Sequence, residues 1–223
     1  MLMTHNVPPA QPVEELSAKP LEQERFGNEE HVQQLPPLLE CRGLTKRYGS
    51  NLALDAINLQ IYPGRITGLL GANGSGKTTL MKLAAGVLTP TAGELYINGE
   101  KPGVESKKIV SYLPERTYLP DWMRARDAVS FFSEFYQDFD SEKAIDMMLR
   151  LGVSPEARMR TLSKGNREKV QIILVMSRAA QLYLLDEPIG GVDPAARDFI
   201  LQTIIGEYQP HAAILISTHL IHD

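Results

Sequence analysis

The stretch GANGSGKTT, residues 71–79, constrains the fold of this chain more than any other. It contains the pattern G-x-x-x-x-G-K-[ST] and lies between RITGLL, which predicts a short buried strand, and TTLMKLAAGVL, which predicts a helix. Glycines let backbone N–H groups point at phosphate oxygens, and the start of a helix adds partial positive charge there. Lys77 supplies a full charge for the β- and γ-phosphates, and the Thr78 hydroxyl can ligate Mg²⁺. The predicted phosphate cradle consists of Gly71, Ala72, Asn73, Gly74, Ser75, Gly76, Lys77, Thr78 and Thr79.

An apolar run that ends in two carboxylates, LYLLDE, predicts a second part of the same site. A buried strand of this kind places its last side chains at the carboxyl edge of the sheet, beside the phosphate loop. Asp186 can hold Mg²⁺ there directly or through water, and Glu187 is then free to polarise an attacking water as a general base. His219 follows the last predicted strand, AAILIST, and would be aimed at the γ-phosphate to orient the nucleophile.

Strands and helices alternate after residue 38, which is typical of an α/β core with a parallel sheet. LLECRGLTKRY, AINLQIY, GELYING and KKIVSYLP predict further strands, and the alternation of Ile57, Leu59 and Ile61 suits an antiparallel sheet beside the core. RARDAVSFFSEFYQ and SEKAIDMMLRLG show the apolar spacing of helices. We therefore predict a P-loop NTPase (RecA-like) core, an antiparallel β subdomain, and a helical subdomain inserted at approximately 114–166.

Charge and proline content separate residues 1–37 from the rest of the chain. This segment carries a net charge of −4 and six of the 15 prolines, which predicts a disordered, acidic, proline-rich tail. The remaining residues carry 21 acidic and 21 basic side chains, which argues against a large surface for nucleic acid. The single cysteine, Cys41, cannot form an intramolecular disulfide, and no apolar run is long enough to span a bilayer. We therefore expect a soluble protein that reaches a membrane only through another polypeptide.

Taken in order, these motifs resemble those of the ATP-binding-cassette ATPases across residues 38–223. The resemblance implies hydrolysis of ATP to ADP and phosphate with Mg²⁺ as cofactor. It assigns adenine stacking to Tyr48 in KRYGS. It places Glu115 at the position of the Q-loop glutamine, which senses Mg²⁺ and the γ-phosphate. It matches Asp193 in GGVDP to the D-loop, which crosses a dimer interface.

LSKGN, residues 162–166, resembles the family signature LSGGQ, which contacts ATP bound to the opposite subunit. Ser163 and Gly165 retain the hydroxyl and the backbone N–H that reach the γ-phosphate, and Asn166 shortens an amide side chain. Lys164 replaces a glycine and would be strained at positive φ, so we predict that no positive φ is needed there. Its ammonium either attracts ATP or is simply solvated. Glu115 departs from glutamine as well, since it offers oxygen to Mg²⁺ but no amide donor.

The resemblance also implies partners and a location. It predicts head-to-tail dimerisation with a second ABC ATPase subunit, identical or different, around two MgATP, on the cytoplasmic face of the plasma membrane. A separate integral-membrane subunit would carry the substrate, and Lys164 together with YLPE resembles the ATPases of bacterial ABC-2-type exporters. In RTYLPDWMRA, an apolar group either anchors that subunit or packs within the helical insert. This group consists of Tyr118, Leu119, Trp122 and Met123.

Two other classes of protein are less consistent with the sequence. A soluble ABC ATPase acting on ribosomes or nucleic acid usually carries two cassettes or a long coiled coil. A P-loop kinase or GTPase would leave LSKGN and His219 unexplained, and the guanine-reading N-K-x-D is missing. Members of the resembled family continue beyond the position of His219, where this chain ends four residues later, so we expect a truncated C-terminus.

Overall fold

The structure is a computed structural model and describes residues 35–189 and 194–219. Most of the predicted tail, residues 1–34, therefore lies outside the described residues, as does Asp193. In chain order the elements are β1 (Leu39–Tyr48), β2 (Asn51–Ile61), β3 (Ile66–Leu70), α1 (Lys77–Ala84), β4 (Ala92–Ile97), α2 (Val104–Ile109), β5 (Val110–Leu113), α3 (Ala125–Phe135), α4 (Ser141–Arg150), a 3₁₀ turn (Met159–Thr161), α5 (Lys164–Met176), β6 (Leu182–Asp186), α6 (Pro194–Glu207) and β7 (Ala213–Thr218).

The antiparallel sheet has the strand order β2-β1-β4. Ile57, Leu59 and Ile61 point inwards along β2, with exposed residues between them, so the predicted alternation is confirmed. Ala56 interrupts the strand with a φ of 47°. The pairing of β1 with β2 shifts register around this point, so Leu54 is buried on the same side as Ile57 although the two residues are an odd number apart.

The parallel sheet has the order β3-β7-β6-β5. Every residue of β6 is buried. Leu182 and Leu184 pack in a core with the antiparallel sheet and α1, whereas Tyr183 and Leu185 pack in a second core with helices α3 to α6. Because both faces of the strand are covered, its sequence is a continuous apolar run without alternation. The strand order brings the segments that follow β3, β7 and β6 to one edge of the sheet.

The prediction that KKIVSYLP is a strand throughout is wrong in its first half. Residues 107–109 belong to α2, and the strand begins only at Val110. The Gly103 N–H donates to the Ser106 hydroxyl at 2.8 Å, and that hydroxyl donates to the Gly103 carbonyl at 3.0 Å. Glu105 in the first turn and lysines in the last turn also suit the helix dipole. This local capping favours a helix over the strand that the apolar pattern suggests.

Helices α3 and α4 form where the sequence predicts them, while the boundaries of the helical subdomain stay a prediction. In the described part of the chain, no helix has both the length and the apolar character needed to cross a membrane.

Candidate functional site

The phosphate loop leaves β3 at Gly71 and enters α1 at Lys77, with Thr78 and Thr79 in the first turn of the helix. Gly76 has a φ of 93°, and a Cβ built on it would lie 2.4 Å from the carbonyl oxygen of Ala53. Only glycine meets both conditions, because a side chain would be strained by the backbone angle and would also clash with the neighbouring strand.

The Lys77 ammonium lies folded back over this loop. Its Nζ donates to the carbonyl oxygens of Gly71 at 2.7 Å and of Ala72 at 3.1 Å. The side chain is only 7% exposed and forms an ion pair with Glu187 Oε1 at 3.4 Å. A full positive charge is thus fixed at the centre of a loop that is lined by backbone groups, which is the electrostatic setting that phosphate oxygens require.

Asp186 ends β6 and faces α1. Its Oδ1 accepts a hydrogen bond from the Thr78 hydroxyl at 3.2 Å and another from the Ser217 hydroxyl at 2.7 Å. The pKa of the Asp186 carboxyl is raised above its ordinary value, mainly by burial. The two hydrogen bonds lower it, and the nearby charges of Glu115 and Glu187 add to the increase. The sequence-predicted pair of Thr78 and Asp186 is therefore in direct contact, 108 residues apart along the chain.

These residues fit a magnesium ion. The other carboxylate oxygen of Asp186, Oδ2, is buried and has no hydrogen-bond partner among the described residues. Mg²⁺ is commonly held by one or two protein oxygens together with phosphate and water, so a hydroxyl beside a carboxylate is a suitable donor set. Elsewhere among the described residues, there is no group of three or more His, Cys, Asp or Glu side chains that could hold a metal ion. Glu115 is exposed but close enough for its charge to act on Asp186.

Glu187 lies between Lys77 and His219. Its Oε2 is 2.8 Å from His219 Nδ1, and the backbone N–H of Glu187 donates to the Ser217 hydroxyl at 2.9 Å. The residue has a φ of 51°, a left-handed conformation that is uncommon for a side chain of this size. The structure thus brings Lys77, Thr78, Asp186, Glu187 and His219 together at one sheet edge, as predicted. Ser217 also belongs to this cluster, although no motif or spacing in the sequence indicates it.

Tyr48 lies at the end of β1, with its side chain 46% exposed. The Lys46 ammonium lies over its ring, 5.3 Å from the centroid, and also donates to the Thr89 carbonyl at 2.8 Å. Lys46 therefore covers one face of the ring, and adenine stacking on Tyr48 would use the other face.

The LSKGN segment forms the start of α5. The Ser163 hydroxyl accepts a hydrogen bond from the backbone N–H of Asn166 at 3.2 Å and so caps the helix. Lys164 is the first helical residue and is not among the residues with positive φ, which confirms the prediction for its backbone. Its ammonium lies 3.8 Å from Glu168. Within the described residues, no hydrogen bond joins Ser163, Gly165 or Asn166 to the phosphate loop of the same chain.

The apolar group in RTYLPDWMRA divides into two pairs. Leu119 is buried and Met123 packs against the same core, so these two stabilise the helical insert. Trp122 is 67% exposed and Tyr118 is 40% exposed. Of the two interpretations left open by the sequence, packing therefore applies to Leu119 and Met123. Tyr118 is partly packed as well, since its ring centroid lies 6.5 Å from that of Phe132 and burial raises the pKa of its hydroxyl. The exposed apolar surface of the group belongs mainly to Trp122.

Comparison with known proteins agrees with this geometry. A model of the ABC transporter family matches residues 54–190. The chain is 34% identical to an uncharacterized ABC transporter ATP-binding protein of Methanocaldococcus jannaschii, over 83% of this chain and 69% of that protein. It is 31% identical to the ABC transporter ATP-binding protein YtrB of Bacillus subtilis, over 83% of this chain and 65% of that protein.

A solved structure has the same fold. It is a putative ABC transporter ATP-binding protein from Pyrococcus furiosus, with a TM-score of 0.72, 26% identity, and coverage of 83% of this chain and 92% of that one. The chain spans about two thirds of the length of the two relatives named above. Since the family model matches more than half of its residues, the chain belongs to the ABC transporter family.

Proposed function

We propose that this chain binds and hydrolyses MgATP as the ATPase subunit of an ABC transporter. The observation that carries the proposal is the cluster at the carboxyl edge of the parallel sheet. There Thr78 contacts Asp186 at 3.2 Å, and Glu187 is held between Lys77 and His219.

Each residue of the cluster has a distinct task in this reaction. Lys77 and the loop N–H groups bind the β- and γ-phosphates. Thr78 and Asp186 would hold Mg²⁺, which neutralises developing charge on the phosphates when it is bound. Glu187 accepts a proton from the attacking water, and His219 keeps the Glu187 carboxylate oriented through the 2.8 Å contact. Glu115 would complete the magnesium environment.

The complete site requires a second subunit. Ser163, Gly165 and Asn166 share no hydrogen bond with the phosphate loop of their own chain in the described region. We infer that they contact the γ-phosphate held by a second ABC ATPase subunit, identical or different, and that Asp193 crosses the same interface. The start of α5 supplies the partial positive charge for this contact. ATP would then form part of the dimer interface, and its hydrolysis would separate the subunits.

A concentration series of steady-state hydrolysis tests this function. Phosphate release with MgATP should rise more than linearly with protein concentration, since each site needs residues from two chains. Sedimentation velocity across the same range should show monomers without nucleotide. A lack of phosphate release would contradict the ATPase, whereas release proportional to the concentration of a monomer would contradict only the shared site.

We further infer that a separate integral-membrane subunit binds this chain on the cytoplasmic face of the membrane and carries an exported substrate. Trp122 and Tyr118 support a docking surface because both expose part of their side chains and follow Glu115 by seven and three residues in the sequence. A large aromatic side chain is the typical anchor of such an interface.

Trp122→Ala is expected to weaken binding of the membrane subunit at least about tenfold, because a central aromatic anchor contributes about 2 kcal/mol or more. Co-purification with the co-expressed membrane subunit measures the effect, and hydrolysis by the isolated chain should not change. Ile205→Ala is the matched control, since Ile205 is 60% exposed on α6. Equal recovery of the membrane subunit by both variants would remove Trp122 from the docking surface.

A further inference from the structure

Ser217 is not among the site residues predicted from the sequence, yet it lies between the two carboxylates of the site. It lies in β7 directly opposite Asp186 in the parallel pairing of β6 with β7. Its side chain is completely buried. The hydroxyl donates to Asp186 Oδ1 at 2.7 Å and accepts from the backbone N–H of Glu187 at 2.9 Å. The Ser217 hydroxyl therefore donates a hydrogen bond to the side chain of Asp186 and accepts one from the backbone of the next residue, Glu187.

The bond to Asp186 sets the rotation of that carboxylate. Oδ1 is directed towards two hydroxyls, those of Ser217 and Thr78, and this leaves Oδ2 buried and without a hydrogen-bond partner among the described residues. Without the Ser217 hydroxyl, Thr78 would be the one remaining hydrogen-bond donor to this carboxylate among the described residues. Ser217 therefore selects the oxygen that is presented to a magnesium ion. Outer-shell hydrogen bonds of this kind commonly orient metal ligands.

The bond from Glu187 stabilises an unfavourable backbone conformation. Glu187 has a φ of 51°, and its N–H has the Ser217 oxygen as a partner. This conformation aims the carboxylate at Lys77, 3.4 Å away, and at His219, 2.8 Å away. A non-glycine residue keeps such a conformation only where the surroundings hold it in place.

We propose that Ser217 is the positioning residue for both carboxylates, orienting Asp186 for magnesium and Glu187 for proton abstraction. The inference rests on the proposed ATPase function. Ser111 provides a comparison for a purely structural role. It is also buried in the parallel sheet, on β5, but its hydroxyl donates to a backbone carbonyl, that of Val175, at 3.0 Å.

The test compares Ser217→Ala with Ser217→Thr and with the matched control Ser111→Ala. Ser217→Ala should lower kcat about 10- to 100-fold and raise the Mg²⁺ concentration for half-maximal activity several-fold. KM for ATP should change by less than about threefold, because the phosphate loop is untouched. Ser217→Thr retains the hydroxyl and should recover most of kcat. Ser111→Ala should keep kcat within about twofold of the parent chain, since the hydroxyl that it removes bonds the Val175 carbonyl and neither carboxylate.

A second measurement uses the nucleotide-free protein and does not depend on turnover. Amide hydrogen exchange at Glu187 should accelerate about tenfold or more in Ser217→Ala, and remain as in the parent in Ser111→Ala. Circular dichroism establishes that each variant is folded. If threonine cannot be accommodated, Ser217→Cys, of similar size and weaker hydrogen bonding, should give an intermediate kcat.

Equal kcat and equal Glu187 exchange in Ser217→Ala and Ser111→Ala would overturn the proposal. If the parent chain releases no phosphate, the ATPase function fails instead. The exchange rate of the Glu187 amide and the Mg²⁺ dependence of binding of a fluorescent ATP analogue then still decide the role of Ser217.

Discussion

Glu187→Gln is expected to remove steady-state ATP hydrolysis while ATP binding is retained. Glutamine has nearly the same shape and can still hydrogen-bond His219, but it cannot accept a proton from water. Loss of a general base lowers the rate by about 10²- to 10⁴-fold. Because hydrolysis is what separates the subunits in the proposed cycle, the variant should also accumulate as an ATP-bound dimer. Phosphate release and sedimentation velocity with MgATP measure the two effects.

Glu105→Gln is the matched control for this substitution. Glu105 is exposed on α2 and forms an ion pair with Lys108 at the surface, at 2.7 Å, so its neutralisation should leave turnover and assembly unchanged. Turnover of Glu187→Gln within a few-fold of the parent would exclude Glu187 as the base. If Glu187→Gln loses turnover but forms no ATP-dependent dimer, Glu187 remains the proposed base and the proposed dimer interface is contradicted.

Lys77→Ala is expected to act at the earlier step, by weakening nucleotide binding itself about 10- to 100-fold. Hydrogen bonds to charged groups contribute about 1.5–3 kcal/mol, and the ammonium is already fixed over the phosphate loop by two carbonyl oxygens. The substitution also leaves Glu187 without its cationic partner at 3.4 Å. Titration with a fluorescent ATP analogue measures the change in affinity. Lys82→Ala, in the last turn of the same helix, is the control.

If Lys77→Ala binds the ATP analogue as tightly as Lys82→Ala does, Lys77 does not contribute to phosphate binding. Comparison with Glu187→Gln separates the two roles, since Glu187→Gln should bind ATP without hydrolysing it, whereas Lys77→Ala should bind ATP more weakly. Both variants should remain folded, because the two cores contain neither side chain.

The main parts of the site were predictable because each is a local pattern. GANGSGKT specifies its own loop: Gly76 must adopt a φ of 93° against the Ala53 carbonyl, and Lys77 must begin the helix. The run LYLLD is apolar at every position because β6 is covered on both faces. A parallel sheet brings the residues at the carboxyl ends of its strands to one edge. The positions of Asp186 and His219 in the sequence therefore predict that both lie near the loop.

Two features of the fold depend on contacts that the local sequence pattern does not reveal. The helix at Val104–Ile109 depends on mutual hydrogen bonds between Gly103 and Ser106, which outweigh an apolar pattern typical of a strand. Leu119 and Met123 could be assigned to packing only once the helices were seen around them. In each case the outcome depends on which neighbours satisfy a polar group or cover an apolar one.

By itself, the sequence determined the nucleotide chemistry, since the loop, the two carboxylates and the histidine are recognisable from residue type and spacing alone. Only the tertiary structure decided how the carboxylates are aimed. The Ser217 hydroxyl reaches Asp186 and the Glu187 N–H because β6 and β7 pair with Asp186 opposite Ser217. Residues 31 positions apart carry no mutual signal in the chain, and here the pairing of the two strands sets the donor and acceptor 2.7 Å apart, which is within hydrogen-bonding distance.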